Sequence, residues 1–318
     1  MTPTRRLPLP QRYDFAGTIG VLAMGHHDPC ARLADGAFWW ATRTPEGPAT
    51  LRLHRTRPGS PELVAAGYGP GAGWVLDRAD AIAGLRDELN GFTDLAAAHP
   101  VVARLARVHS GLRLVATGRI FQRLLRAVFE QKVTGKEAYR AYAATVRHFH
   151  VQGGREPAPG PFAGVLLPPD PAAMAATPYW AFHPFGVEQR RADTVCRAAA
   201  LAERLEECAD SAEATRRLTA ISGVGPWTAA EVVRTVFGDP DAVSVGDYHI
   251  PHMVAWVLAG EARAGGRSGT SAEADRRMLE LLEPFRGHRG RVCTLLESAG
   301  LAAPRFGPRM PIRSFARF

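Results

Sequence analysis

The residues with the clearest capacity for chemistry lie between Leu218 and His249. Gly223-Val224-Gly225 is a tight two-glycine turn between two segments with helical patterns, and glycine accepts positive φ without steric cost. Pro226 suits the first position of the next helix, where its missing N–H would have had no partner. Such a helix directs its free N–H groups and the positive end of its dipole at one point. The pattern therefore predicts a site that suits a phosphate.

Asp247 is the carboxylate that follows this turn in the sequence, just before Tyr248 and His249. One interpretation is structural, because an aspartate at this place caps the helix that follows. The other is chemical, because a fixed carboxylate stabilises developing positive charge and can orient or deprotonate an attacking water. The local pattern alone leaves both interpretations open, and they do not exclude each other.

The combination of turn, helix and aspartate resembles a known superfamily. Ile221-x-Gly223-Val224-Gly225-x-Trp227-Thr228-Ala229 followed by Asp247-Tyr248-His249 is similar to the helix-hairpin-helix DNA glycosylases, with their Gly/Pro-rich loop and following aspartate. The resemblance covers about residues 113–300 and is strongest to the branch that acts on alkylated bases, the bacterial 3-methyladenine DNA glycosylases II. It implies a base-excision-repair enzyme that flips a damaged purine out of duplex DNA and hydrolyses its N-glycosidic bond.

The resemblance assigns the reaction to Asp247 and the grip on DNA to the hairpin. Loss of a purine develops positive charge on the sugar, as in other oxocarbenium-like reactions, and a carboxylate beneath the sugar stabilises it. Gly223, Val224, Gly225 and Thr228 are expected to hold the DNA backbone without reading its sequence. The structural alternative for the turn is an ordinary helix–helix connection that contains glycine.

Trp227 and Phe285 are the expected walls of the base pocket. Bifunctional members of the superfamily carry a lysine at the place of Trp227, so the resemblance implies a monofunctional enzyme without strand cleavage. An indole also attracts a cationic, N-alkylated purine by cation–π interaction. Phe285 matches a family position that is often tryptophan. Both aromatics have the alternative of being core residues.

The resemblance points to three further positions, and at two of them this chain differs from the family. Gln131 matches a family glutamine near the flipped nucleotide. Lys132 stands where the family has an apolar wedge, so it is a candidate for the wedge or for a phosphate contact. Glu231 stands where close relatives have a tyrosine against the base, and its carboxylate either attracts a cationic base or faces solvent. Flipping costs a few kcal/mol of unstacking, less for a damaged base.

No cofactor is expected to be required. Family hairpins tend to hold a monovalent cation, Na⁺ or K⁺, on main-chain carbonyls, here near Ile221 and Gly223, while no side-chain metal site is predicted. The four cysteines, at positions 30, 196, 208 and 293, have neither zinc nor ferredoxin spacing. No cysteine cluster follows Asp247, which separates the chain from the iron–sulfur members. The cysteines are expected to be free thiols.

Composition and charge agree with a DNA partner. The chain has 318 residues, a formal net charge of +8 and a sequence pI of about 9.8. A basic protein fits a polyanion, here double-stranded DNA that contains damaged bases. No run of about 18 apolar residues predicts a membrane span. No signal peptide is recognised either, so we expect a bacterial cytoplasmic, nucleoid-associated protein that acts as a monomer.

The order of patterns predicts an α+β protein. Residues 1–112 are expected to form an antiparallel sheet domain with flanking helices. Its first residues, 1–12, are expected to be a loose basic arm. Residues 113–318 are expected to form a helix-hairpin-helix domain of two helical subdomains, with the hairpin at 218–236 and the catalytic loop at 237–249. In the sheet region, strand-like runs are separated by Gly/Pro turn chemistry. From Gly118 onward apolar residues recur with helical spacing, for example Phe121, Leu124, Leu125, Val128 and Phe129.

The sequence therefore predicts a monofunctional 3-methyladenine-type DNA glycosylase. Two alternatives stay open. One is a glycosylase for another lesion, such as an oxidised, deaminated or etheno base. The other is a non-catalytic DNA-binding protein that kept the hairpin.

Overall fold

A computed structural model describes residues 2–25, 28–266 and 269–304. The basic tail with Arg305, Arg309, Arg313 and Arg317 lies outside the described residues. The fold is α+β: an antiparallel sheet comes first and helices make up the rest, as the sequence predicts.

The sheet has five antiparallel strands in the order β1-β5-β4-β3-β2. The strands are β1 (Thr4–Pro8), β2 (Ala31–Ala34), β3 (Ala37–Thr44), β4 (Gly47–His54) and β5 (Glu62–Tyr68). The expectation of a loose arm at 1–12 is wrong, because Thr4–Pro8 pairs with β5 from Thr4 opposite Ala66 to Pro8 opposite Glu62. That pairing depends on residues far away in the sequence, so no local pattern could predict it.

Short helices cover one face of the sheet. They are α1 (Phe15–Gly20), α2 (Ala72–Asp77) and α3 (Ala79–Ile82). Alternate residues of the strands turn towards them, and Phe38 and Trp40 of β3 share a core with Trp74 and Ile82. The period of two along β3 places Trp39 on the opposite face, where it stacks on Phe162 at a ring-centroid distance of 4.9 Å.

The larger helical core holds the hairpin. Its helices are α6 (Ile120–Phe129), α7 (Gly135–Gln152), α8 (Pro171–Ala175), α9 (Gln189–Ala200), α10 (Ala202–Glu206), α11 (Ser211–Thr219) and α12 (Pro226–Val236), with a 3₁₀ segment at Tyr179–Phe185. The apolar face read from the sequence, including Leu124 and Val128, is buried in this core. Leu201 separates α9 from α10.

A second helical core lies apart from the one that holds the hairpin. It combines α13 (Ile250–Ala259), α14 (Ser271–Leu282), α15 (Arg289–Ser298) and a 3₁₀ turn at Glu283–Phe285 with two earlier helices, α4 (Phe92–Ala96) and α5 (Pro100–Val108). Residues 99–109 belong to the span expected as the sheet domain with its flanking helices. In the structure Val102 and Leu105 of α5 are buried against the C-terminal helices.

No described helix is both long enough and apolar enough to span a membrane. All four cysteines are free thiols, and Cys30, Cys208 and Cys293 are buried. Burial raises the pKa of the Cys293 thiol to about 12, so this sulfur stays protonated near neutral pH.

Candidate functional site

The hairpin that joins α11 to α12 is anchored by its apolar residues and shaped by its first glycine. Ile221 and Val224 are buried in the larger helical core. Gly223 has φ +97°, and a Cβ there would overlap the hydroxyl oxygen of Thr194. Glycine is therefore required at this position both by the backbone angle and by the space. Gly225 differs, because a Cβ there would meet nothing within 4 Å.

The start of α12 lies directly after this turn. Gly225 is extended (φ −101°, ψ −178°), Pro226 occupies the first turn, and no side chain caps the helix. Thr228 is buried while Trp227 is partly exposed. An uncapped first turn leaves main-chain N–H groups for an external acceptor, which is the arrangement the sequence predicts for a phosphate.

Gln131 fastens the hairpin to the end of α6. Its side-chain Nε2 donates to the carbonyl of Gly223 at 3.0 Å and to the hydroxyl of Thr228 at 2.9 Å. The amide thus bridges the turn and the first turn of α12. Three of the residues selected from the sequence meet at this point, although the partners are 92 and 97 positions apart in the chain.

Asp247 is held by three N–H donors. Its Oδ1 accepts from the main-chain N–H groups of His249 at 2.6 Å and Ile250 at 2.9 Å, at the beginning of α13. Its Oδ2 accepts from the indole Nε1 of Trp227 at 2.9 Å. The carboxylate therefore faces the start of one helix and the first turn of another. Tyr248 next to it has 79% of its surface exposed.

These contacts show that Asp247 caps the start of α13 and that it also lies beside the hairpin. One oxygen satisfies helix N–H groups that would otherwise have no partner, as a cap does. The other oxygen is oriented by Trp227, which follows Pro226 in α12. The side chain that the sequence assigned to the base pocket is thus a direct neighbour of the carboxylate.

Glu231 lies in neither of the environments considered for it. Its side chain is 10% exposed, and its oxygens accept from Arg123 at 2.6 Å, Arg234 at 2.7 Å and the hydroxyl of Ser244 at 2.6 Å. The expectation of a carboxylate that faces a base or solvent is corrected, because two guanidinium groups and a hydroxyl already surround it. Burial would raise the pKa of Glu231, but Arg234, Arg123 and Ser244 outweigh burial and lower the pKa from 4.5 to about 2.

Phe285 is also buried. It is 2% exposed and packs in the second helical core with Ile250, Met253 and Val292. Of the two interpretations of this aromatic, the structure supports the core residue. The sequence motif around Phe285 could not reveal this, since burial there depends on α4, α5 and α15.

Lys132 follows Gln131 in the segment between α6 and α7. It is exposed and has φ +54°, an angle that residues other than glycine rarely adopt. Strained backbone of this kind costs about 1–3 kcal/mol and often lies at functional positions. Lys132 is thus an exposed residue directly after Gln131, the residue that bonds the hairpin.

The carbonyls considered for a monovalent cation are partly engaged. The Gly223 carbonyl accepts from Gln131, and the Ile221 carbonyl accepts from the N–H of Val224 at 2.9 Å. Each carbonyl oxygen has a second lone pair, and oxygen donors suit Na⁺ and K⁺, so the donor chemistry is compatible. Among the described residues no group of three or more His, Cys, Asp or Glu side chains could hold a metal ion.

Two residues near the site escaped the sequence analysis. Ser244 donates to Glu231, and its carbonyl accepts from the N–H of Asp247 at 3.2 Å. Arg197 donates from Nε to the carbonyl of Ser222 in the hairpin at 3.2 Å. Neither contact has a local signal in the sequence. Arg234, another partner of Glu231, does have one, because it lies three residues after Glu231 in α12.

Comparison with solved structures decides the fold. The chain is similar to the 3-methyladenine DNA glycosylase from Archaeoglobus fulgidus, with a TM-score of 0.71, 17% identity and coverage of 92% of this chain and 97% of that chain. It is also similar to an 8-oxoguanine glycosylase/lyase from Clostridium acetobutylicum, with a TM-score of 0.67, 11% identity and coverage of 94% and 96%. The chain has the helix-hairpin-helix DNA glycosylase fold.

The chain is also similar to curated proteins. The chain is 26% identical over 254 residues to a probable bifunctional transcriptional activator/DNA repair enzyme AlkA from two strains of Mycobacterium tuberculosis. The match covers 77% of this chain and 49% of the relative, so the chain spans about half the length of the curated relatives it matches. No family model matches the chain.

Proposed function

We propose that the protein is a monofunctional DNA glycosylase of base excision repair that removes alkylated purines, of the 3-methyladenine type, from duplex DNA. The observation that carries the proposal is Asp247. Its carboxylate is held by Trp227 and by the start of α13, next to a hairpin whose helix begins without a cap. We place its action in the nucleoid, as a monomer.

In the proposed reaction Asp247 acts on the sugar of the extruded nucleotide. Departure of the base leaves positive charge on the sugar ring, and a carboxylate of fixed orientation stabilises that charge without having to reorganise. The same carboxylate orients the attacking water. The water oxygen bonds the sugar carbon, its proton passes to the Asp247 carboxylate, and the electron pair of the glycosidic bond leaves with the cationic base, which departs neutral. Main-chain N–H groups of Gly223 and Gly225 hold the strand while this happens.

The proposal of water as the nucleophile rests on Trp227. An indole has no amine that could form a Schiff base with the sugar, whereas the resemblance places the lysine of bifunctional enzymes at this position. The whole sequence contains two lysines, Lys132 and Lys136. Borohydride should therefore trap no covalent complex with DNA, and trapping of such a complex would contradict the monofunctional assignment.

The proposed preference for alkylated purines rests on the properties of the base and on the aromatic side chains near Asp247. An N-alkylated purine carries positive charge, is a good leaving group and stacks less firmly, so a pocket of modest selectivity suffices. The indole of Trp227 and the exposed ring of Tyr248 beside Asp247 are the aromatic surfaces at hand. Phe285 and Glu231 are not part of this pocket in our proposal.

Base release from methylated duplex DNA tests the proposal. The purified protein should release 3-methyladenine, measured by chromatography. Asp247→Asn keeps the size of the side chain and should reduce release by at least about 100-fold, within the range of a lost catalytic group. Asp239→Asn is the matched control from the same loop, because the Asp239 carboxylate bonds the N–H of Asp241, and it should retain activity.

Two other outcomes select the alternatives. The similarity to an 8-oxoguanine glycosylase/lyase keeps another lesion open. If methylated DNA is left intact while duplexes with oxidised, deaminated or etheno bases lose them, the reaction class stands and the lesion changes. If no base is released from any substrate and duplex binding is tight and independent of damage, the protein is a DNA-binding protein on this fold.

A further inference from the structure

Helix α9 connects two segments that the proposed function places against DNA. At its start, Arg191 donates to the carbonyl of Phe129 at 2.9 Å, at the end of α6 and just before Gln131. One turn later, Thr194 lies under Gly223 of the hairpin. The exposed side of α9 therefore runs from the Gln131 segment to the hairpin.

Arg197 is attached to the hairpin itself. Its Nε donates to the carbonyl of Ser222 at 3.2 Å, and Nη2 lies 3.4 Å from the hydroxyl of Thr194. The residue is exposed, and a guanidinium has five N–H donors, so several remain for an external acceptor. Its positive charge is thus fixed at the edge of the turn.

Arg190 points to the same side of the helix. It precedes Arg197 by seven residues, about two helical turns or roughly 10 Å. Its side chain is exposed and forms no hydrogen bond or ion pair with the described part of the chain. The adjacent Arg191 contrasts with it, because that side chain is buried and bonded to Glu188 and to the Gly186 carbonyl. Asp193 lies nearby on α9 but is not within ion-pair distance of either exposed arginine.

We propose that Arg190 and Arg197 form a second row of phosphate contacts for duplex DNA, beside the main-chain grip of the hairpin. The inference rests on the proposed function, because it takes duplex DNA as the ligand. At this spacing the two guanidinium groups reach two separate phosphates of the duplex. Arginine suits this role because its planar guanidinium bonds phosphate oxygens in pairs.

The salt dependence of binding to an undamaged duplex tests the row. Each phosphate contact contributes a slope of about −0.9 to log K against log salt concentration. Arg190→Ala and Arg197→Ala should each flatten the slope by about 0.9, and the double variant by about 1.8. The effect should be the same for every duplex sequence. Arg197→Lys keeps the charge and should retain the wild-type slope.

A matched double variant separates local contact from net charge. Arg57→Ala with Arg107→Ala removes the same charge from two exposed arginines, one in the turn after β4 and one in the last turn of α5. It should leave the slope nearly unchanged. If the α9 double variant behaves like this control, the row does not contact DNA.

The same titration distinguishes the two proposals. Gly225→Asp places a negative charge at the hairpin, where the structure has room for it, and should weaken binding of every duplex. If Gly225→Asp weakens binding but the α9 variants do not, the α9 inference alone fails. If the wild-type protein shows no salt-dependent duplex binding, both the function and the inference fail.

Discussion

Asp247 uses both of its oxygens within the protein, and each oxygen has a different partner. Oδ1 accepts from two main-chain N–H groups that exist because α13 begins there. Oδ2 accepts from Trp227, a side chain of another helix. The first set fixes the position of the carboxylate, and the indole fixes its rotation. In the proposed function Trp227 therefore positions the carboxylate as well as lining the base pocket.

Trp227→Phe should slow base release without unfolding the protein. Phenylalanine keeps the aromatic surface but cannot donate to Oδ2, and a hydrogen bond to a charged group contributes about 1.5–3 kcal/mol. The single-turnover rate with saturating protein should fall about 10- to 100-fold, while duplex affinity stays close to that of the wild type. A wild-type rate in Trp227→Phe would mean that the indole is only a wall.

At the scale of elements, α12 contributes to the candidate site at its start, and its second turn holds the loop that contains Asp247. Trp227 and Thr228 face the catalytic loop and Gln131. Glu231, one turn later, bonds Ser244 in the same loop. Since Ser244 and Asp247 of the loop 237–249 are both bonded to α12, the orientation of α12 determines where Asp247 lies. The two glycines before α12 set that orientation unequally.

Gly223→Ala should be costly and Gly225→Ala nearly neutral. Alanine at 223 would have to adopt φ +97° and would overlap Thr194, whereas Gly225 has ordinary angles and open space. Residues forced into unfavourable backbone regions cost about 1–3 kcal/mol. Urea unfolding should show this loss for Gly223→Ala only, together with weaker duplex binding. Equal stability of the two variants would contradict the geometry.

The sequence predicted the elements that depend on local pattern. The turn at Gly223 to Gly225, the helix after Pro226 and the position of Asp247 follow from residue types that are neighbours in the chain. The partners of Glu231 could not be predicted in this way, since Arg123 is 108 positions away. The same holds for β1, whose register depends on β5, and for the burial of Phe285 by distant helices.

At the scale of the whole molecule, a buried group of charges joins parts of the chain that are distant in sequence. Arg123 of α6 bonds Glu231 and also Glu130 at 3.2 Å, and Arg234 bonds Glu231 and Glu297 of α15. The group therefore links the larger helical core to the second one. Helices from before residue 112 share that second core, so the boundary at 112/113 stays a proposal.

Glu231→Gln should destabilise the whole fold. Removing one partner of a buried ion pair costs about 3–5 kcal/mol, because the remaining charges stay buried without compensation. Urea unfolding near pH 7 measures the loss. Glu297→Gln is the control, since its side chain is 43% exposed and exposed pairs contribute up to about 1 kcal/mol. Equal losses in the two variants would show that burial of the pair is not what matters.

The pH dependence of stability should carry the signature of Glu231. The folded state holds the pKa of this carboxyl at about 2, below its ordinary 4.5. Between these values the unfolded chain binds more protons than the folded one, so stability falls as the pH is lowered. The contribution is complete above about pH 4.5 and is lost as the pH falls towards 2. Wild-type protein should therefore lose more stability over this range than Glu231→Gln, and parallel losses would contradict the assignment.

The burial of this charge group also restricts how the position can change during descent. The family resemblance gives tyrosine at the position of Glu231. A single substitution by tyrosine would take from Arg123 and Arg234 the carboxylate that both of them bond, and would leave each with one remaining partner, Glu130 or Glu297. We therefore expect a lineage that changes this position to alter one of the arginines as well. Homologues with tyrosine at this position should therefore lack one of the two arginines. The residue at position 231 and the two arginines would then change together.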